Sequence, residues 1–266
     1  MDPGEGSTRL GEATIGTARP TTGSASDQGR RRFNADALAV WAHGGGLGVA
    51  VADGIGDTAA AYGAAHVAAD TAARAAAGGG ALDALLAARS AIVGGRDTRA
   101  GDAVLVVAAL RAGGGEIAWV GDCRAYFFDG AGVRRLTADQ TMAAAVREAG
   151  VAAAPRWEHV VTASVRSASV GNAGRVRIPE GWGRLALVTD GVHRELSPAE
   201  IAAVLAHGHD PATVARELTD LALLAGGGDN ASATVVEVPL VPALPAQRTD
   251  TSPAFPEVAA EAADTA

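Results

Sequence analysis

A single cysteine, Cys123, leaves no partner for an internal disulfide, and the 266-residue chain reads as a protein of the reducing cytoplasm. Aromatic residues make up only 4%, so the core must come from Ala, Val and Leu, within an apolar content of 48%. No apolar stretch is long and uncharged enough to span a bilayer. Met1-Asp2-Pro3-Gly4-Glu5-Gly6 lacks the basic region and hydrophobic segment of a secretion signal. Positive charge is also in deficit, and the net charge of −8 argues against a general nucleic-acid binder. No Gly-x-Gly-x-x-Gly follows a strand and no Gly-Lys-Ser/Thr loop exists, which removes the common nucleotide cradles. No Cys or His cluster offers a zinc site at recognisable spacing. What remains is a cytosolic, monomeric globular protein with no membrane or nucleic-acid partner.

Composition divides the chain into an arm over 1–21, a domain over 22–240 and a Pro/Ala-rich tail over 241–266, with both ends expected to be disordered. A polar loop, Ser26 to Asp36, carries Arg30-Arg31-Arg32 and leads into a short strand over 37–41. A glycine turn at 44–46 joins it to a valine-rich strand ending at Asp53, which makes a hairpin. Alanine-rich residues 58–77 and 80–93 read as two helices. Strands follow over 103–110, 116–120, 125–128 and 133–136. Thr137-Ala138-Asp139-Gln140 has the form of a capping box, which predicts a helix over 138–148 ending at Gly150. Residues 150–183 show no clear period. Beyond them come a strand over 184–189, helices opened by Ser197-Pro198 and Asp210-Pro211, and a final strand over 233–238. Hairpin-linked strand runs alternating with helix pairs favour an α/β sandwich, with two mainly antiparallel sheets packed face to face between helical layers.

Four aspartates share one context. Asp53, Asp122 and Asp190 each end a strongly apolar strand, and Asp229 sits just before another; Gly54, Gly121, Gly191 and Gly228 flank them. Carboxylates converging at one end of a sheet core repel one another. Divalent cations remove that repulsion, and an all-oxygen ligand set selects hard ions such as Mg²⁺ or Mn²⁺. Two such ions can hold a bridging water, lower its pKa and aim it at a phosphoryl group. An arginine beside such a cluster, from the run Arg30-Arg31-Arg32, suits a phosphate anchor. Taken singly, each aspartate also fits an ordinary turn at a strand end.

An ordered set of segments resembles the metal-dependent serine/threonine protein phosphatases of type 2C, in their short bacterial form. The segments are 31–36 (Arg-x-x-Asn-Glu-Asp-like), Val51-Ala52-Asp53-Gly54-Ile55-Gly56 and Val120-Gly121-Asp122-Cys123-Arg124-Ala125-Tyr126. Leu136-Thr137-Ala138-Asp139, Leu187-Val188-Thr189-Asp190-Gly191-Val192 and 228–235 complete the set, in family order. The resemblance implies a four-layer α/β/β/α fold and an enzyme of cytoplasmic signalling, a hydrolase that removes phosphate from phosphoserine and phosphothreonine in proteins. By position it implies that Asp53 bridges two ions, that Asp190 and Asp229 complete the first site, and that the carbonyl of Gly54 binds the second. Asp122 and Asp190 share a third, weaker site, Arg31 holds the substrate phosphate, and Asp36 supports metal-bound water. The chain departs from the pattern in several places. Ala35 stands where the family has glutamate, Ile55 where eukaryotic members have histidine, Cys123 where serine is usual, and Asp57 where glycine is usual. Residues 150–183 correspond to the flap. The loss at Ala35 supports an alternative: a weak or inactive member that binds phosphoproteins as a regulator.

Overall fold

In a computed structural model of the chain, residues 20–95, 101–112, 114–178 and 181–240 are described. Residues 1–19 and 241–266, most of the expected arm and the whole tail, lie outside them.

The strands are β1 (Thr21–Asp27), β2 (Asp36–His43), β3 (Gly46–Gly54), β4 (Ala103–Arg111), β5 (Gly114–Val120), β6 (Arg124–Phe128), β7 (Val133–Arg135), β8 (Gly174–Ile178), β9 (Gly181–Val188) and β10 (Ala231–Leu240). They form two five-stranded sheets, ordered β2-β3-β4-β5-β8 and β1-β10-β9-β6-β7, and the strand pairings are antiparallel. Helices α1 (Ala59–Gly78) and α2 (Ala81–Gly94) cover the first sheet. After α3 (Met142–Glu148) and the single turn α4 (Asp190–His193), α5 (Pro198–Ala206) and α6 (Pro211–Leu224) cover the second. The α/β sandwich with two antiparallel sheets is the expected fold class.

The period of two along a strand explains why the layers separate so cleanly. In β3, Ala50 and Ala52 face α1, while Leu47, Val49 and Val51 face the opposite sheet. In β9, Ala186 and Val188 face the helices, while Leu185 and Leu187 face inward. Alanine dominates the buried face of α1, with Ala61, Ala65, Ala68, Ala72 and Ala76 at helical spacing. Small side chains let that helix lie close on its sheet, as expected for a core short of aromatics.

Three expectations need correction. Strand β1 runs through what reads as loop, because its residues are small and polar. Its edge pairing to β10 is supported by hydroxyl contacts, Ser24 with Thr234 at 2.9 Å and Ser26 with Ser232 at 2.7 Å. The capping box at 137–140 does not form. Thr141 caps α3 instead, accepting from the Ala144 amide at 3.2 Å. The Thr137 hydroxyl and the Gln140 side chain accept from Ala125 and Gly121, tying the following loop to the β5–β6 turn. Residues 150–178 are likewise fastened down: Thr162 bonds to Gln140, Val165 bonds to Ala103, and β8 pairs with β5.

Phe127, fully buried between the sheets, is the test of this core. Phe127→Ala should lower unfolding free energy by ~3–5 kcal/mol in urea titration with an unchanged m value. A loss under about 1 kcal/mol would mean that the two sheets do not pack as described.

Candidate metal centre

The strand period that builds the inter-sheet core also delivers its charge. Asp53 continues the inward series Leu47, Val49, Val51, and its register partner across the β2–β3 hairpin is Asp36. Thr189 continues Leu185 and Leu187 in the same way. Its hydroxyl donates to Asp36 Oδ2 at 2.9 Å and accepts from the Ser232 amide at 3.0 Å, so one threonine links the two sheets at this end. Asp122 follows β5, Asp190 opens α4, and Asp229 precedes β10. Asp53, Asp122, Asp190 and Asp229 all line one cleft of about 150 Å³, together with Arg31, Ala35, Gly54 and Ile55. The sequence-selected residues therefore meet, apart from Asp36, which lies buried behind the wall.

Close approach requires glycine at two of these positions. A Cβ on Gly191 would lie 2.0 Å from the Asn230 carbonyl oxygen, so only glycine lets the Asp190 turn dock beside Asp229. A Cβ on Gly54 would lie 2.6 Å from the Ala61 carbonyl oxygen. The Gly54 amide donates to the Ala35 carbonyl at 3.0 Å, which fixes Ala35 on the cleft wall with no carboxylate to offer.

Of the residues that hold this geometry, the sequence reading singled out Arg31 and gave no role to Asn230, Asp57 or Arg194. Asn230 accepts from the Ala35 amide at 2.8 Å and donates to the carbonyls of Gln28 and Phe33 at 2.7 and 2.9 Å. Asp57 accepts from the Arg32 and Phe33 amides at 3.0 and 2.9 Å, which ties the arginine loop to the loop after Asp53. Arg31 donates to Asp229 at 2.6 Å. Arg194 donates through one nitrogen to Asp190 at 2.5 Å and through the other to Asp122 at 2.9 Å, and it also contacts His159 on the cleft wall. An Asp-Gly at the end of a strand is a visible signal. An arginine four residues further on, or an Asn after Asp229, is not.

Charge at the centre is poorly compensated. Burial lifts Asp53 well above the carboxylate range, and repulsion from Asp190, Asp36, Asp122 and Asp229 adds to it. Burial likewise pushes Asp36 up to about 7, and its Oδ1 has no hydrogen-bond partner among the described residues. Asp122 rises to about 6 through burial and Asp190, against the pull of Arg194. Asp190 is raised by burial, with Arg194 opposing. His193 is held down at about 3 by burial, so it is neutral and its Nε2–H donates to the Asp122 carbonyl at 2.8 Å. Buried, mutually repelling carboxylates with an orphaned oxygen fit hard divalent cations at Asp53, Asp190 and Asp229. The Asp122–Asp190 pair is spanned by the Arg194 guanidinium.

These shifts set a pH dependence for metal-free protein. Carboxyls raised in the folded state bind more protons there than in the unfolded chain. Their stabilising contribution is complete below the ordinary aspartate range and is lost as pH rises through about 6 and about 7. In EDTA, the melting temperature should fall by several degrees between about pH 5 and about pH 8, and Asp36→Asn should flatten that slope. A rising profile in scanning calorimetry would contradict the charge assignment.

No family model and no curated protein matches the chain. Solved structures do. A bacterial serine phosphatase superposes with a TM-score of 0.71 at 17% identity, over 82% of this chain and 97% of its own. The serine/threonine phosphatase MsPP of Mycobacterium smegmatis, in complex with cacodylate, gives 0.66 at 26%, over 82% and 98%. The catalytic domain of the serine/threonine protein phosphatase PstP, in complex with two manganese ions, gives 0.65 at 22%, over 82% and 97%. The chain therefore shares the fold of these bacterial serine/threonine phosphatases.

Proposed function

We propose that the protein is a divalent-metal-dependent phosphatase that hydrolyses phosphoserine and phosphothreonine in protein substrates. One observation carries the reading: Asp53, half-buried at the cleft, sits among four other carboxylates that raise it further, beyond what Arg31 and Arg194 compensate. The manganese ions of the PstP complex and the fold shared with phosphatases support it.

In this reading Asp53 spans two Mn²⁺ or Mg²⁺ ions, Asp190 and Asp229 complete one site, and the Gly54 carbonyl serves the other. Ions held there would supply Lewis-acid charge and a water of lowered pKa for attack on phosphorus. The protein's own groups do the rest. Asp36, behind the wall with one oxygen held by Thr189, would support metal-bound water through a hydrogen bond. Arg31 lines the cleft, 44% exposed, and its guanidinium can donate to phosphate oxygens as well as to Asp229. Asp57 and Asn230 keep that loop in register with Asp53, so that the phosphate anchor and the carboxylates stay fixed relative to each other.

Arg194 alters the metal count. Its fixed charge lies between Asp122 and Asp190, the pair to which the family pattern assigns a third ion. Two ions are therefore the working number. Calorimetric titration should give two Mn²⁺ equivalents for the wild type and one further, weaker site in Arg194→Ala. Three equivalents in the wild type, unchanged by the substitution, would overturn this count.

Ala35 favours the second reading, a weak or inactive member that binds phosphoproteins, because the cleft wall lacks a carboxylate there. Hydrolysis of a phosphothreonine peptide in Mn²⁺, in Mg²⁺ and in EDTA separates the two. The enzyme reading predicts Mn²⁺-dependent turnover, lost in EDTA and reduced by roughly 10²-fold or more in Asp190→Ala. Folded protein with no turnover in saturating Mn²⁺ across several peptides would favour the regulator. Turnover gained by Ala35→Glu would then identify the missing carboxylate as the cause.

A further inference from the structure

Away from the carboxylate cleft, the turn between α5 and α6 brings two histidines onto one acidic side chain. His207 is the C-terminal cap of α5, His209 lies two residues on, and Glu217 projects from α6. The Nδ1 atoms of His207 and His209 approach the two oxygens of Glu217 at 3.1 and 2.7 Å. One ligand atom from each of the three residues lies within 4.8 Å of the others. None of the three lines the carboxylate cleft.

We propose that His207, His209 and Glu217 form a binding site for a borderline transition-metal dication such as Zn²⁺. Two imidazole nitrogens and one carboxylate oxygen are a ligand set that suits zinc and disfavours Mg²⁺. Three protein ligands leave one position open to water. In the Nε2–H tautomer, each ring presents Nδ1 as the ligand atom on the side facing Glu217. Hydrogen bonds from His207 and, secondarily, His209 hold the Glu217 carboxyl below the usual range, so it is ionised and ready to bind a cation.

Preorganisation separates this cluster from a chance pairing of surface side chains. Arg184, on β9, is 3% exposed, and its guanidinium donates to the carbonyls of Leu205, His207 and His209 at 2.9, 2.6 and 3.0 Å. Its acidic partner Glu237 is more distant, at 3.4 Å. A buried guanidinium cannot surrender those carbonyls without leaving a charge unsatisfied. The backbone carrying both imidazoles is therefore pinned from beneath by a strand of the sheet. On the other side of the turn, Asp210 caps α6 through the Ala212 and Thr213 amides, which fixes the helix that presents Glu217. The ligands thus come from two braced segments, and an ion there would clip the turn to α6. The sequence reading found no His cluster at zinc-site spacing, because Glu217, ten residues after His207, joins the two histidines only where the helix start at Pro211 folds it back.

Full-length protein held in saturating Mg²⁺, so that the hard oxygen centre is filled, can be titrated with Zn²⁺ by calorimetry. The expected result is a zinc isotherm in the wild type whose affinity drops by at least ~10-fold in both His209→Ala and Glu217→Gln, since even outer partners of a metal site are worth that much. The ring resonances of His207 and His209 in the wild type should shift or broaden at one equivalent of Zn²⁺, a readout that needs no substitution. Absence of a zinc isotherm, an identical isotherm in all three proteins, or unshifted rings would each overturn the site.

Discussion

Negative charge held between two apolar sheets is the constraint on which the rest of this structure depends. Asp53 and Asp36 sit at one end of a core made of Leu, Val and Ala, where burial alone pushes each carboxyl toward its neutral form. Asp122, Asp190 and Asp229 line the same cleft from three other chain segments. A core without that cluster would pack as well or better, so the cluster is retained against the stability of the metal-free fold. The hydrogen bonds around it share this constraint. Thr189 bridges the sheets through Asp36, Asn230 gathers three backbone groups from the arginine loop, and glycines at 54 and 191 let the backbone close in.

Much of this was visible in the chain. The period of two in Leu47, Val49, Val51 and then Asp53 places that carboxylate inside before any coordinates are known, and Asp-Gly at 190–191 repeats the signal. The four-layer order followed from hairpin-linked strands between helix pairs. What stayed hidden depends on contacts distant in sequence. Strand β1 is made of Thr, Gly, Ser and Ala, and only its partner β10, some 200 residues away by register, makes it a strand. Thr137 carries the right spacing for a cap, but its hydroxyl is taken by Ala125, leaving Thr141 to start the helix. Asp57 looked like a loss of glycine and is instead the clasp of the arginine loop.

Two departures give the centre its own character. Ala35 removes a carboxylate from the wall beside Gly54, and Arg194 adds a fixed cation between Asp122 and Asp190. Both changes make the cleft less negative. Asp53, Asp190 and Asp229 are the carboxylates on which the proposed cation binding rests. Arg31, His159 and Arg194 line the same cleft, and His159 and Arg194 are in contact there. The segment around His159, at the start of the region that showed no period, is thereby part of the cleft and not a loose cover over it.

The claim that these carboxylates form a divalent-cation centre is tested most directly by anomalous diffraction from crystals grown with Mn²⁺. The account predicts two manganese peaks, both in contact with Asp53, and no peak between Asp122 and Asp190. Crystals with no manganese at Asp53, or with Mn²⁺ displacing Arg194 from Asp122, would contradict it.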